Sequence, residues 1–576
     1  MNLTGKGVSS GIALGSIHIY DNSPIVPEQK TCALGEEQAE LERYEIVKKK
    51  ALEDLETIIF NMEKNDPDKA KIFRAHQDIV NDVAINEEIP DKILKEHRNG
   101  DWSIYKTYET FIRMVRKAPD PVIAERASDF EDVRNRLLAL WHNKNPQGLS
   151  NLNKPVIVAA KELLPSDTAT MDLNNVLAIL TEMGGVTSHS AIIAKSYGIP
   201  AVLGIQGLLE TVKNGQTAVV NAEQGIIHLD PDKAMTEEYT KKYEAWKQEM
   251  HTTEQYKKSK ALTKDKIKID TGINIATADE KELEASEYAD SVGLFRTEFF
   301  YMGRDDLPGE EEQFLVYRKV LERFGDKPVI LRTLDIGGDK TLKSMVLPKE
   351  ENPFLGNRAL RLCFSRPELF IPQIRACLRA SVYGNLWIML PMVGSIDDIR
   401  KAKEYIKKVH EDLQKEKIPC GEYKIGIMVE IPSIAFIADH AAKEVDFASI
   451  GSNDLCQYVC AADRMNSSVE DYYQSYHPAL FRLIKQTVDA FNNAGKPVSI
   501  CGELGSDPLA APVLIGIGMR KLSVGIASIA KIKRIISGLT IPKAREIAET
   551  VLDFATAEEI NRYLIKEGRC INEQLQ

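Results

Sequence analysis

This chain of 576 residues lacks any uninterrupted apolar run approaching the ~20 residues that a membrane span needs. Its opening, MNLTGKGVSSGIALG, has no basic stretch followed by a long apolar one, so no secretory signal is expected. Cysteine is sparse: eight residues lie scattered without a CxxC pair, and CQYVC (Cys456, Cys460) has helical spacing but no partner cluster. Zinc is therefore not expected, and the cysteine usage fits a reducing cytoplasm. Excess positive charge is also missing. With 74 Lys and Arg against 85 Asp and Glu, the net charge is −11, which argues against nucleic acid or a membrane surface as the main partner.

What is present is the composition of a soluble globular protein, 43% hydrophobic and 28% charged, in a chain too long for one ordinary core. Short strands and helices mark 1–20 and 145–230, in stretches such as GIALGSIHIY, KPVIVAA, NVLAILTE, QTAVVNA and GIIHLD. Between them, 21–144 is charged, with Leu, Ile and Phe at three- and four-residue intervals, the pattern of a helical bundle inserted into an α/β domain. Residues 231–260 are polar almost all round, which reads as a solvated linker helix.

From 261 to 576 the pattern changes. Eight strand-like runs alternate with helical segments: KIKIDTGINI, SVGLFRTEF, PVILRTLDIGG, LWIMLPMV, KIGIMVEIP, DFASIGSNDL, PVSICGEL and KLSVGI. That alternation predicts a (β/α)8 barrel, whose functional side chains sit at the C-terminal ends of the strands. Those ends carry Arg296, Arg332, Glu430, Asn453 with Asp454, and Cys501; Arg358, Arg361 and Arg464 follow in the adjoining loops.

Arginine forks match phosphate and carboxylate, so such a mouth suits a small, multiply anionic ligand. Two carboxylates among those cations suit Mg²⁺ held by few protein oxygens plus ligand oxygens. Any one arginine alone reads more readily as an ordinary surface or barrel-rim ion pair; it is their joint placement at strand ends that points to a ligand. Cys501 reads either as a small buried hydrophobe or as a proton donor beside the anion.

His189 poses a separate question. It stands in GGVTSHSAIIAKSYGIPAVLG, behind small residues and one position before a helical apolar run. A helix N-terminus offers unpaired N–H groups to a phosphate, Thr187 and Ser188 add hydroxyls, and a neutral imidazole there can attack phosphorus. A helix-capping histidine accounts for this stretch alone equally well. The arginine-rich mouth elsewhere in the chain favours phosphoryl transfer.

Taken together the motifs resemble a known family. The His189 segment is similar to the phosphohistidine motif of phosphoenolpyruvate-using enzymes, and GLFRTEF, TLDIGGDK, NPFLGNRALR, MVEIPS, GSNDLCQYVCAADR and CGEL resemble their barrel motifs. ERASDFEDVRNRLL and LLPSDTA look like Enzyme I of the bacterial phosphoenolpyruvate:sugar phosphotransferase system, over nearly the whole chain. The resemblance implies an α/β protein: a phosphohistidine domain with an inserted helical subdomain that docks the carrier HPr, a linker helix that acts as hinge, and a barrel that binds phosphoenolpyruvate with Mg²⁺.

It further implies autophosphorylation on His189 and transfer to a histidine of an HPr-type carrier, in a cytoplasmic homodimer formed through the barrel. By matching motif, Arg296 and Arg332 should hold the phosphate and Arg358 should support the anion. Asn453 and Arg464 should grip ligand oxygens, and Glu430 and Asp454 should bind Mg²⁺. Cys501 should protonate the enolate, and Thr168 should orient the His189 ring.

The chain departs from the family pattern in three places. Val186 replaces an arginine in GGRTSH, Asn357 replaces a tryptophan, and Lys69, Lys71 and Arg74 enter a segment that commonly carries a glutamate. The last of these points to a carrier with a less basic docking face. ATP-using relatives need a large nucleotide-grasp domain ahead of the histidine segment, and the mostly helical region before it, without a Gly-rich phosphate loop, does not supply one. A divergent paralogue serving a different carrier in a regulatory phosphorelay remains the alternative.

Overall fold

The computed structural model describes residues 2–9, 11–20, 25–33, 35–63, 67–117, 126–143, 149, 152, 154–163, 167–168, 171–184, 190–191, 194, 197–302, 304, 306–338, 342, 345, 347–348 and 350–573. They fall into two compact units, Met1–Glu249 and Met250–Gln576. Among the described residues no helix is long and apolar enough to cross a membrane.

In the first unit, eight strands form one sheet: β1 (Asn2–Thr4), β2 (Lys6–Ser9), β3 (Ile12–Tyr20), β4 (Val156–Ala160), β5 (Val176–Thr181), β6 (Ala201–Leu203), β7 (Thr217–Asn221) and β8 (Ile226–Leu229). Their order is β1-β8-β7-β3-β4-β5-β6-β2, with β3 to β6 parallel and the flanking pairs antiparallel. The VIVAA of β4 is buried on both faces, as a central parallel strand should be. Ile157 and Ala159 enter one apolar cluster, while Val156, Val158 and Ala160 enter the other.

Helices Glu37–Glu63, Pro67–Val80, Val83–Leu94, Gly100–Arg116 and Ala127–Trp141 lie in sequence between β3 and β4. Because β3 and β4 pair directly and in parallel, Ser16 with Val156 through Tyr20 with Ala160, the helical insertion leaves at one end of the strand pair and returns at the other. The insertion has its own core. In its first helix Tyr44, Val47, Ala51, Leu55 and Ile59 recur at helical spacing and are buried there.

Helix Lys233–Gln255 follows β8 and carries the chain past the division between the units. In the second unit β9 (Asp270–Ile275), β10 (Ser291–Arg296), β11 (Val329–Arg332), β12 (Leu386–Leu390), β13 (Tyr423–Val429), β14 (Phe447–Gly451), β15 (Val498–Cys501) and β16 (Lys521–Val524) close into a barrel. Every neighbouring pair is parallel, including β16 with β9.

Alternate strand residues face outward into the large core shared with the helices, or inward into a second cluster of Leu294, Ile330, Trp387, Met389, Met428, Phe447 and Cys501. The inner cluster needs room. A Cβ on Gly426 would lie 2.5 Å from the Phe447 ring, so only glycine lets that ring fill the barrel.

The root of the linker is tied to the barrel. The Lys533 ammonium, in helix Ile529–Gly538, is buried and donates to the carbonyls of Lys257, Ser259 and Tyr288 at 2.6–2.9 Å. Arg534 Nη1 donates to Thr253 Oγ1 at 3.0 Å. Replacing Lys533 by Met strands three carbonyls and should cost roughly 2–3 kcal/mol. Urea unfolding of the full chain checks this: the midpoint should fall, and an unchanged midpoint would mean that water satisfies those carbonyls.

Candidate active site

The barrel fold converts sequence position into a site. Arg296 ends β10, Arg332 ends β11 and Cys501 ends β15, while Glu430 follows β13 and Asn453 and Asp454 open the helix Ser452–Cys460 after β14. All six line one cavity of about 200 Å³, together with Arg358 and Arg464. Leu294 and Met428 also line it, continuous with the inner apolar cluster. Arg361 is not part of it: that guanidinium bonds the carbonyls of Leu355 and Gly356.

The walls hold an alternating chain of charges. Arg332 donates from Nη2 to Glu298 Oε1, and its Nη1 lies 3.0 Å from Asp335 Oδ2. Asp335 in turn receives a two-pronged fork from Arg358, at 2.8 Å from Nε and 3.1 Å from Nη2. The third arm of Arg358, Nη1, reaches Asp454 Oδ1 at 2.8 Å, and Arg464 Nη1 reaches Asp454 Oδ2 at 3.3 Å. Arg332, Arg358, Glu298, Asp335, Glu430 and Asp454 are all buried. Such charges tolerate burial only through one another, since each desolvated ion costs several kcal/mol.

Two groups stand outside this pairing. Arg296 is half-buried and makes no hydrogen bond or ion pair among the described residues, so its cation faces the cavity uncompensated. Glu430 accepts from the Met392 amide through Oε1 at 2.6 Å, but its Oε2 is buried with no hydrogen-bond partner among the described residues. The Met392 amide is presented from a left-handed backbone, φ 52, a conformation that a non-glycine residue holds only under constraint. A Cβ on Gly451 would lie 2.9 Å from Glu430 Oε2, so glycine there keeps that oxygen clear.

The titration behaviour follows from these contacts. Burial pushes the Glu430 carboxyl up, and the Asp454 and Asp335 carboxylates push the same way against Arg332 and Arg358. Burial also opposes the Asp454 charge, but Arg358 and Arg464 outweigh it and hold that carboxyl below its usual value. For Arg332 burial works against the charge, and Glu298 and Asp335 more than restore it. Burial raises Cys501, so its thiol keeps its proton. Its Sγ lies 3.5 Å from the Ile450 carbonyl.

Glu430 and Asp454 are hard oxygen donors, and one of their oxygens is buried without a partner among the described residues, so the pair fits a Mg²⁺ ion that takes its remaining ligands from substrate or water. Among the described residues no group of three or more His, Cys, Asp or Glu is arranged to hold a metal by itself.

Sequence reasoning overlooked Glu298 and Asp335. Each follows an arginine by two or three residues, a spacing that looks like a rim ion pair, and only the packed structure places both in the interior. It also overlooked Gln373. The Leu334 amide donates to its Oε1 and its Nε2 donates to Thr297 Oγ1, while Thr297 donates to the Arg332 carbonyl, which ties the ends of β10 and β11 together. Phe354 lies beneath Arg358 and Arg464, 5.7 and 5.9 Å from the guanidinium carbons. Asn357 bonds Ser365 Oγ at 2.9 Å.

In the first unit His189, Val186, Thr187 and Ser188 lie outside the described residues. Ser190, Ala191 and Ala194, just beyond them, are buried. Thr168 is buried, and its neighbour Asp167 accepts from the Tyr20 hydroxyl at 2.6 Å. The side chains of Lys69 and Lys71 also lie outside the described set, whereas Arg74 is exposed on helix Pro67–Val80.

Comparison with known proteins gives three family matches along the chain. Residues 4–126 match the N-terminal domain of PEP-utilising enzymes, 152–225 their mobile domain and 250–541 their PEP-binding domain. Among curated relatives, the phosphoenolpyruvate-protein phosphotransferases of Bacillus sp. (strain S) and Geobacillus stearothermophilus are each 41% identical over 565 residues, covering 96% of this chain and 96% of theirs. That of Bacillus subtilis (strain 168) is 39% identical over 97% of this chain and 98% of its own.

Asp335 compensates two buried arginines at once. Asp335→Asn should therefore destabilise the barrel by about 3–5 kcal/mol, the range for breaking a buried pair. A shift of less than about 1 kcal/mol in denaturant unfolding, the range of exposed pairs, would show that the network is solvated.

Proposed function

This chain belongs to the phosphoenolpyruvate-protein phosphotransferase family, and on that premise we propose that the barrel cavity takes phosphoenolpyruvate with Mg²⁺ and yields its phosphoryl group to His189. The observation that carries the reading is the cavity itself. Four arginines and four carboxylates line it, and among the described residues one of those cations and a Glu430 oxygen are left uncompensated.

Arg296, which has no partner among the described residues, receives the phosphate, and Arg332 is aimed beside it by Glu298 and Asp335. Arg358 and Arg464 extend the positive wall, and Asn453, held by the Glu503 amide at 3.1 Å, offers its amide to ligand oxygens. Glu430 and Asp454 would hold Mg²⁺, which when bound supplies charge neutralisation for the transferring group. Phosphoryl transfer asks chiefly for such positioning and neutralisation.

In the reaction the bond from phosphorus to the enol oxygen breaks as a bond to the His189 ring nitrogen forms. The departing enolate takes a proton at carbon from the Cys501 thiol and becomes pyruvate. Thr168 fixes the tautomer that leaves the attacking nitrogen unprotonated. From His189 the phosphoryl group passes to a histidine of an HPr-type carrier docked on the helical insertion, the first step of sugar uptake by the phosphotransferase system. We assign the protein to the cytoplasm as a homodimer through the barrel. Lys69, Lys71 and Arg74 favour a carrier with a less basic docking face.

Labelled phosphoenolpyruvate tests the acceptor and the cavity together. His189→Ala should abolish acid-labile labelling while phosphoenolpyruvate still binds. Arg296→Ala should label the same histidine about 10²–10³-fold more slowly. Undiminished labelling of the first variant would overturn the acceptor, and an unchanged rate in the second would remove the substrate from the cavity.

Cys501→Ser should slow pyruvate formation while leaving substrate affinity and melting temperature near their original values, because the hydroxyl is a far weaker acid in the same space. A lower melting temperature with normal turnover would make Cys501 a packing residue.

A further inference from the structure

The helix that presents Asn453 and Asp454 in its first turn also carries Cys456 and Cys460, four residues apart and so on one face. Their sulfurs lie 4.0 Å from each other. Cys456 is buried and its Sγ also reaches the Gln474 carbonyl at 3.4 Å, whereas Cys460 is partly exposed. The proposed reaction uses neither thiol.

A disulfide requires sulfurs about 2.05 Å apart and β-carbons about 3.8 Å apart, while a regular helix keeps residues i and i+4 about 5–6 Å apart at Cβ. Closure must therefore move backbone at one end. Cys456 is fixed inside the helix. Cys460 is its last residue, and the chain leaves it through Ala461 in a left-handed conformation, φ 51.

That turn leads directly to Arg464. The Arg464 amide donates to Gln457 Oε1 at 3.2 Å, and its guanidinium makes the 3.3 Å contact with Asp454. Pulling residue 460 toward 456 displaces the turn and the arginine with it.

We propose that Cys456 and Cys460 form a redox-sensitive pair that a hydroperoxide closes into an intrahelical disulfide, withdrawing Arg464 from Asp454 and from the cavity. The partly exposed Cys460, as thiolate, attacks the peroxide. An S–O bond forms, the O–O bond breaks and hydroxide leaves, to be protonated to water. The Cys456 sulfur then attacks the sulfenic sulfur, the S–S bond forms, the S–O bond breaks and a second water departs. Two thiols and one hydrogen peroxide thus give one disulfide and two waters. Loss of catalysis on closure rests on the roles proposed above for Asp454 and Arg464; formation of the bond does not.

The test uses the full chain, treated with hydrogen peroxide and alkylated under non-reducing, unfolding conditions. The tryptic peptide 444–464 contains both thiols and no other cysteine. It should appear unalkylated and lighter by the two lost hydrogens, while the peptide bearing Cys501 remains fully alkylated. Pyruvate formation should fall by about tenfold or more, as loss of one charge-assisted contact implies, and dithiothreitol should restore both readings.

Cys460→Ser should match the reduced protein in rate and keep that rate through peroxide. A doubly alkylated peptide from inactivated protein, or equal inactivation of Cys460→Ser, overturns the pair. A disulfide with undiminished turnover overturns the switch yet leaves the role of Asp454 standing. That role fails by a different result, an Asp454→Ala variant that still responds to Mg²⁺.

Discussion

The interlocked run from Glu298 through Arg332, Asp335, Arg358 and Asp454 to Arg464 is the constraint on which the barrel mouth depends. A cavity lined by arginines alone would be self-repelling and costly to bury. Carboxylates between the guanidiniums remove the repulsion and fix each fork in one orientation. The anion then meets donors whose ordering cost was met on folding, which is the preorganisation that electrostatic catalysis requires. The same pairing explains why Arg296 differs from its neighbours. A site neutral at every cation would have little attraction for phosphate, and Arg296, uncompensated among the described residues, supplies it.

Backbone geometry serves that network. Met392 and Ala359 both adopt left-handed conformations, the first to turn its amide onto Glu430 and the second immediately after Arg358. Gln373, from helix Pro367–Ala380 on the outside of the barrel, couples the ends of β10 and β11 through Thr297. Two strained residues and this hydrogen-bond relay thus lie where the charges are held, as expected where geometry must not drift.

Much of the site is legible in the amino-acid sequence because a (β/α)8 barrel maps sequence order onto space. Given eight alternating strands, Arg296, Arg332, Glu430, Asp454 and Cys501 have to face a common mouth. Glu298 and Asp335 are not legible, since whether a loop carboxylate lies in solvent or in the core depends on packing from distant segments. In the first unit the strand-like runs between 1–20 and 145–230 do pair, but nothing local in GIALGSIHIY announces that it lies beside VIVAA across the whole helical insertion. The two thiols of CQYVC are visible as helical spacing, while their separation and their connection to Arg464 arise only once the chain is folded.

A crystal structure of the full chain with phosphoenolpyruvate and Mg²⁺ tests the central claim most directly. The account predicts the phosphate between Arg296 and Arg332, a metal shared by Glu430, Asp454 and ligand oxygens, and Glu298 and Asp335 still paired to Arg332. Phosphoenolpyruvate bound outside the cavity, or an Arg332 that has abandoned both carboxylates to reach it, would contradict the account.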